Sequence, residues 1–391
     1  MATVDRWQLP DGVEEVLPAR AAAVERLRRE LLDLYRSWGY QLVIPPLVEF
    51  TESLLVGLGA DLDLLTFKMT DQLTGRSLGV RADITPQVAR IDAHSLREDG
   101  VSRLCYAGSV LHTRAKTLAA SRSPIQLGAE LYGDGSFSAD VEIIRLMLAT
   151  LEQAGLTDIT LDLGHVGVYE AVLAEAGLDD DLEPVVFDAL QRKSVPDLEQ
   201  ALAGLAPEAA ELILALVNLH GGDEVLAQAM ALFGERVPAA TAAVQAVEQV
   251  AAALRCVNPA LTVYFDLAEL RGYHYHTGIV FAAYVPGHGQ ALANGGRYDN
   301  VGEVYGRAGR PATGFGTDLK ALIELLPAEE DQALAGAISM PENNDPALAA
   351  KAAELRAAGE VVITSLGGEV DVRCDRQLLE VDAAWVVEKI T

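Results

Sequence analysis

The sequence predicts an α+β fold: an antiparallel sheet flanked by helices, broken by a helical insertion and followed by a small C-terminal α/β unit. Three observations carry that expectation. Strand-like apolar runs are joined mostly by short polar turns, which suits antiparallel pairing rather than βαβ crossovers. From about residue 168 to 256 the composition shifts to Ala, Leu, Val and Glu at helical spacing. After a linker near Pro327, residues 335–391 read as strand, helix, strand and strand, a unit too small to be well stabilised alone. The expected domains are therefore 1–327, containing the insertion, and 328–391.

The elements follow in order. Leu17, Ala21, Val24, Leu27, Leu31 and Leu34 recur every three or four residues, giving a helix with one apolar face. Pro18 suits its first turn and Gly39 its end. QLVIPPLVEF is extended and interrupted by Pro45 and Pro46, and LLTFKMTDQLTGRSLGVR reads as two strands about a turn containing Gly75. A helix from Thr85 to about Leu96 would use Thr85 as N-cap and Pro86 at its first position. RLCYAGSVL and PIQLGAELYG are strands, separated by a loop carrying Arg114, Lys116 and Arg122. The helix SADVEIIRLMLATLEQAG and the strand DITLDLGHV precede the insertion. Strands return at LTVYFDLAEL, RGYHYHTGIVFAAYV and GQALANGGRY. In the tail, AISM, VVITSL and AAWVVEKI are strands, and Asp345-Pro346 starts the helix between the first two.

The chain has 391 residues, half of them hydrophobic, which is ample for a large core. It has no apolar run of about 18 residues to span a membrane. Its N-terminus lacks the basic and apolar parts of a secretion signal. Cys105, Cys256 and Cys374 are too scattered for a disulfide framework or a zinc clip, which suits a cytoplasmic protein. With 30 basic and 57 acidic residues, the net charge is −27. A field of that sign repels phosphate backbones, so neither nucleic acid nor membrane is an expected partner.

The stretch RGYHYHTG alternates Tyr273, His274, Tyr275 and His276. On a strand both histidines would share a face. Two imidazoles fall short of the three or four ligands a metal needs, and His94, His112, His165, His220 and His288 add no tight ligand spacing. No metal or cofactor is expected. GLGA at 57–60 lacks the third glycine of a dinucleotide loop. No G-x-S-x-G or Walker A sequence is present. More informative are Asp83, Gln126, Glu130 and Tyr298, polar residues set beside Gly or Pro within apolar strands. Each alone reads equally as part of a satisfied network or as a group awaiting a ligand.

The order and spacing of LPDGVEEVLP, GVRADITPQVAR, RGYHYHTG, GGRYD and TGFGTDL resemble the catalytic core of histidyl-tRNA synthetase, a class II aminoacyl-tRNA synthetase fold, over about residues 5–325. The tail resembles a reduced anticodon-binding domain. Two departures stand out. The family's motif 2 arginine and the glutamate two residues later become His112 and Arg114, and the motif 3 arginine position is occupied by Ala321. Phosphate needs such planar cationic donors, so activation of an amino acid by ATP is not expected.

The pocket for histidine keeps its residues. The resemblance implies Asp83, Thr85 and Gln126 around the ligand ammonium, Glu130 on its imidazole, Tyr298 in the pocket wall and Arg271 toward the carboxylate. His276 replaces an imidazole-contacting tyrosine. A chain that keeps the amino-acid site and loses the ATP site is similar to the regulatory subunits of ATP phosphoribosyltransferase. That resemblance implies a non-catalytic protein that dimerises through its core. It implies a hetero-octamer of four such chains with four short-form catalytic chains, and histidine as effector of the first step of histidine biosynthesis. A divergent histidyl-tRNA synthetase and a free-standing histidine sensor are the alternative readings.

Overall fold

In the computed structural model, residues 7–55, 60–115, 120–179, 181–270, 272, 275–300, 303–305, 309–326 and 336–390 are described. The chain divides into two compact units, Met1–Glu15 with Val24–Leu326, and Val16–Ala23 with Pro327–Thr391.

The larger unit is built on a sheet of nine strands among the described residues. Their spatial order is Gln41–Leu42, Ser102–Ser109, Ile125–Tyr132, Ala312–Asp318, Ala293–Arg297, Ile279–Tyr284, Thr160–His165, Thr262–Asp266 and His220–Gly221. Pairing is antiparallel except between the first two strands and between Thr160–His165 and Thr262–Asp266. The sheet is thus mostly antiparallel and flanked by helices, as the sequence predicts, with two parallel pairs that it does not, and the helix Phe137–Gln153 contributes Ile143, Ile144, Met147 and Leu151 to the core. A second, three-stranded antiparallel sheet joins Val48–Phe50, Ser77–Val80 and Phe67–Thr70.

Among the described residues, the region 166–257 holds six helices: Val166–Ala176, Glu183–Gln191, Val195–Leu202, Pro207–Leu216, Glu224–Phe233 and Pro238–Val257. Their apolar faces bury Val172, Leu212, Ile213, Val244, Val247 and Val250. At roughly 1.5–3 kcal/mol per large aliphatic side chain, this burial more than offsets the helices' modest lengths. The region is not wholly helical, because His220–Gly221 pairs with Thr262–Asp266 at the sheet edge.

Two local expectations are corrected. Within RGYHYHTG, the described residues Gly272 and 275–278 lie outside any strand. The Tyr275 and His276 amides both donate to the Gly272 carbonyl, at 2.8 and 2.9 Å, and Gly272 has φ +67°. Ladder pairing begins at Ile279 with Thr160–His165 and at Val280 with Ala293–Arg297. The Tyr275 and His276 amides are spent on the turn at Gly272, so neither is left for a sheet ladder. Thr85 is the first helical residue rather than the N-cap, and the Asp83 carboxylate accepts from its amide instead. A carboxylate is the stronger acceptor for that amide. The helix Thr85–Arg90 passes into a π-helical turn, Ile91–Leu96, which stops at Arg97 with φ 54°.

In the smaller unit four strands lie in the order Val362–Ser365, Ala337–Pro341, Cys374–Val381 and Ala384–Lys389. The sequence reading missed Cys374–Val381, whose polar residues show no clean alternation, yet it pairs on both sides. The helix Pro346–Ala357, capped by Asp345 Oδ1 on the Ala347 amide, packs Leu348 and Ala352 against Ile338, Val362 and Leu378.

Candidate functional site

A cavity of about 1160 Å³ opens in the larger unit. Asp83, Thr85, Gln126, Glu130, His276 and Tyr298 all line it. Arg271 lies outside the described residues, as do His274, Lys116 and most of the GLGA run.

At one end, Asp83 precedes the helix that begins at Thr85. Its Oδ1 accepts from the Thr85 amide and from Gln126 Nε2, each at 2.9 Å. Gln126 Oε1 in turn accepts from the Ile84 amide at 2.9 Å. Both ends of the Gln126 amide are therefore spoken for, and its orientation is fixed by its partners. Two stretches more than forty residues apart in sequence are locked into one acidic wall.

At the other end, Glu130 stands near the middle of Ile125–Tyr132 and is only 1% exposed. Tyr106 Oη donates to its Oε1 at 3.2 Å, and Tyr298 Oη forms a short hydrogen bond to its Oε2. Thr85 Oγ1 extends the chain to Tyr106 Oη at 3.1 Å, and Tyr132 Oη lies 3.5 Å from Tyr298 Oη. Burial pushes the Glu130 carboxyl up to about 8, outweighing the Tyr298, Thr85 and Tyr106 hydroxyls that favour its ionised form. Near neutral pH the group therefore carries its proton. The strand opposite must lie close for this to fit. Gly314 pairs with Glu130 in register, and a Cβ there would sit 1.5 Å from Glu130 Oε2.

Tyr275 and His276 close this end from their turn. The Tyr275 ring stacks on Tyr298, with centroids 4.8 Å apart, and meets His276 edge-on at 5.5 Å. Burial pushes His276 down to about 4, so its ring is neutral near pH 7. The arrangement offers a carboxylate and amide wall at one end and a dry carboxyl among phenols at the other, suited to a small molecule with an ammonium and a polar ring.

The remainder of the cavity is different in character. His112 is buried there, and its Nε2 lies 2.9 Å from the Ala82 carbonyl, so that nitrogen is the donor. Lys320 Nζ contacts Glu14 Oε1 at 3.1 Å and Ser123 Oγ at 3.2 Å. Ala321 lines the cavity, and Arg114 is exposed. Among the described residues no three His, Cys, Asp or Glu side chains converge as metal ligands, and no helix is long and apolar enough to cross a membrane.

Sequence reasoning missed Tyr106, Tyr132 and Tyr275. Tyr106 was visible as a polar-tipped residue in an apolar run, but its partner Glu130 lies 24 residues away across a strand pair.

Comparison with known proteins places this geometry. A family model described as histidyl-tRNA synthetase matches residues 12–322. A second, described as the ATP phosphoribosyltransferase subunit HisZ C-terminal domain, matches residues 335–388. The ATP phosphoribosyltransferase regulatory subunit of Stutzerimonas stutzeri is 54% identical over 392 residues, covering 99% of each chain. The Pseudomonas entomophila protein of the same description is 53% identical over 396 residues, covering 100% of each. The chain belongs to the ATP phosphoribosyltransferase regulatory subunit family. Among solved structures, this family member resembles a Bacillus halodurans protein described as an ATP phosphoribosyltransferase regulatory subunit/histidyl-tRNA synthetase. The TM-score is 0.83 at 29% identity, over 95% of this chain and 96% of that one. Histidyl-tRNA synthetase from Nostoc shares the fold, with TM-score 0.75 at 19% identity over 96% and 91% of the two chains.

Proposed function

We propose that this chain is the regulatory subunit of an ATP phosphoribosyltransferase. In this reading it binds L-histidine between Asp83 and Glu130 and transmits that occupancy to a short-form catalytic chain in the first step of histidine biosynthesis. Thr85, Gln126, His276 and Tyr298 complete the pocket, and Arg271 takes the ligand carboxylate. The chain itself catalyses no amino-acid activation, dimerises through its core and joins four catalytic chains in a cytoplasmic hetero-octamer of four and four. Residues 1–327 form the core domain that carries the site, and 328–391 form the C-terminal domain.

One observation carries the reading. Glu130 is buried under two tyrosine hydroxyls at one end of the cavity, and Asp83 stands with Gln126 at the other. Asp83 suits the ammonium of a free amino acid and Glu130 suits a ring N–H. The loss of cationic donors at His112 and Ala321 supports a site for the amino acid without ATP. Histidine regulates only if it binds one state of the complex more tightly than another, and a coupling of about 1–3 kcal/mol is typical. The test is co-expression with a short-form catalytic chain, then assay of phosphoribosyl transfer with and without histidine. Activity that needs both chains and falls with histidine is expected. A catalytic chain equally active alone, or indifferent to histidine in the complex, refutes the reading.

A further inference from the structure

We propose that Arg297 is a positioning residue for the ligand cavity: its buried guanidinium anchors the end of the strand Ala293–Arg297 from behind and so sets the hydroxyl of Tyr298 on Glu130. The proposal rests on the histidine reading above, and it concerns a residue that lies behind the cavity wall. Successive side chains along an extended chain point to opposite faces. Tyr298 lines the cavity, and Arg297 turns the other way, into the start of the helix Phe137–Gln153.

All three guanidinium nitrogens are engaged. Nε lies 3.1 Å from both Asp140 oxygens, and Nη2 donates to Asp140 Oδ2 at 3.0 Å. Nη2 also donates to the Ser136 carbonyl at 3.1 Å, and Nη1 donates to the Asp134 carbonyl and to Asp299 Oδ1, each at 3.2 Å. Such a planar fork fixes direction as well as distance. Both charges are buried, with Arg297 7% and Asp140 3% exposed. A buried ion pair often adds nothing to stability over apolar side chains of similar volume, so its return here lies in geometry. The peptide joining Arg297 to Tyr298 is pinned as well. Its carbonyl accepts from the Thr277 amide at 2.7 Å, and its N–H donates to the Ala312 carbonyl at 2.8 Å. Beyond Tyr298, Asp299 Oδ1 links the guanidinium to the Ala312 amide, which donates to it at 3.0 Å. Tyr298 is thus held on both flanks. Its target, Glu130, stands two strands away across Ala312–Asp318, about 10 Å at ordinary strand spacing. Over that reach a small swing at the base of the ring takes the hydroxyl off the carboxyl.

The test titrates the full chain with L-histidine by calorimetry. Arg297→Lys keeps the charge and loses the fork, and it is expected to weaken histidine by about tenfold or more as the Tyr298–Glu130 bond slackens. The loss should pass through Tyr298. In a Tyr298→Phe background the same substitution should cost about twofold or less, because residues that act through one another are not additive. Arg103→Lys loosens a comparable pair away from the cavity, Arg103 with Glu142 at 2.7 Å, and should leave affinity within about twofold of the wild type. Should Arg297→Lys not fold, Arg297→Met combined with Asp140→Val, which leaves no charge unpaired, takes its place in the same cycle. Wild-type affinity in the folded variant, an undiminished loss in the Tyr298→Phe background, or an equal loss in Arg103→Lys overturns the inference and leaves the site reading standing. If the wild type binds no histidine, the site reading fails and the inference falls with it.

Discussion

Replacing Glu130 by glutamine keeps the shape of the side chain and removes its titration. The structure makes the consequence specific. Glu130 holds its proton up to about pH 8 because burial disfavours the carboxylate, and a free imidazole takes its own near 6.5. Between those values the empty site and the free ligand bring one shared proton, and binding needs no net proton exchange. Below about 6.5 the ligand arrives already charged and one proton must leave. Above about 8 the site has lost its proton and one must be taken up. Histidine affinity should therefore be greatest between about 6.5 and 8. His276 does not blur this window, since it is neutral above about 4. In Glu130→Gln the charged hydrogen bond is lost, which weakens binding by about 1.5–3 kcal/mol, or roughly 10- to 150-fold. The ratio of wild-type to variant affinity should shrink by about tenfold per pH unit above pH 8. Taking the ratio cancels titration of the ligand ammonium, which both proteins feel alike.

The same substitution makes a stability statement. The folded-state value of Glu130 is raised from 4.5 to about 8. Unfolded chains therefore bind fewer protons than folded ones between those values, and wild-type stability falls as pH rises through that window. Without ligand, Glu130→Gln should lack this decline and melt at or above the wild type at pH 8. Calorimetric titration and thermal melts at several pH values measure both effects. Equal histidine affinity for the two folded proteins, or a ratio that keeps growing above pH 8, would refute the reasoning.

Three further outcomes are expected. The chain should show no histidine-dependent exchange of pyrophosphate into ATP, because His112 is engaged with the Ala82 carbonyl and Ala321 has no charge to offer phosphate. Robust exchange by protein free of contaminating synthetase would restore the enzyme reading. Transfer RNA should not bind at moderate salt, given a net charge of −27, and a specific micromolar complex in a filter assay would contradict this. Gly314→Ala should destabilise the fold by about 2 kcal/mol or more, since its Cβ would meet Glu130 Oε2 at 1.5 Å and the Ala129 carbonyl at 2.9 Å. A denaturation midpoint equal to the wild type would show that the strands separate more readily than their register implies.

The sequence alone determined a good deal. Helical spacing located the first helix, and Leu27, Leu31 and Tyr35 are buried along it. Glycine-punctuated apolar runs located the strands that form the middle of the large sheet, because burial on both faces leaves a pattern that survives without context. Motif order carried the family, and with it Asp83, Thr85, Gln126, Glu130, His276 and Tyr298 as one cluster. What it could not determine was who bonds whom. Tyr298 reaches Glu130 across 168 residues, and Gln126 reaches Asp83 across 43. Gln126 and Glu130 share the strand Ile125–Tyr132, and only the fold brings Asp83 and Tyr298 to it. The turn at Gly272 was also beyond it, since alternating Tyr and His read as a strand until the Tyr275 and His276 amides are seen to close onto the Gly272 carbonyl. The raised Glu130 carboxyl belongs to the tertiary structure for the same reason. Local sequence specifies a polar group, and only the packing of distant chain around it decides whether water, a partner or a ligand can reach it.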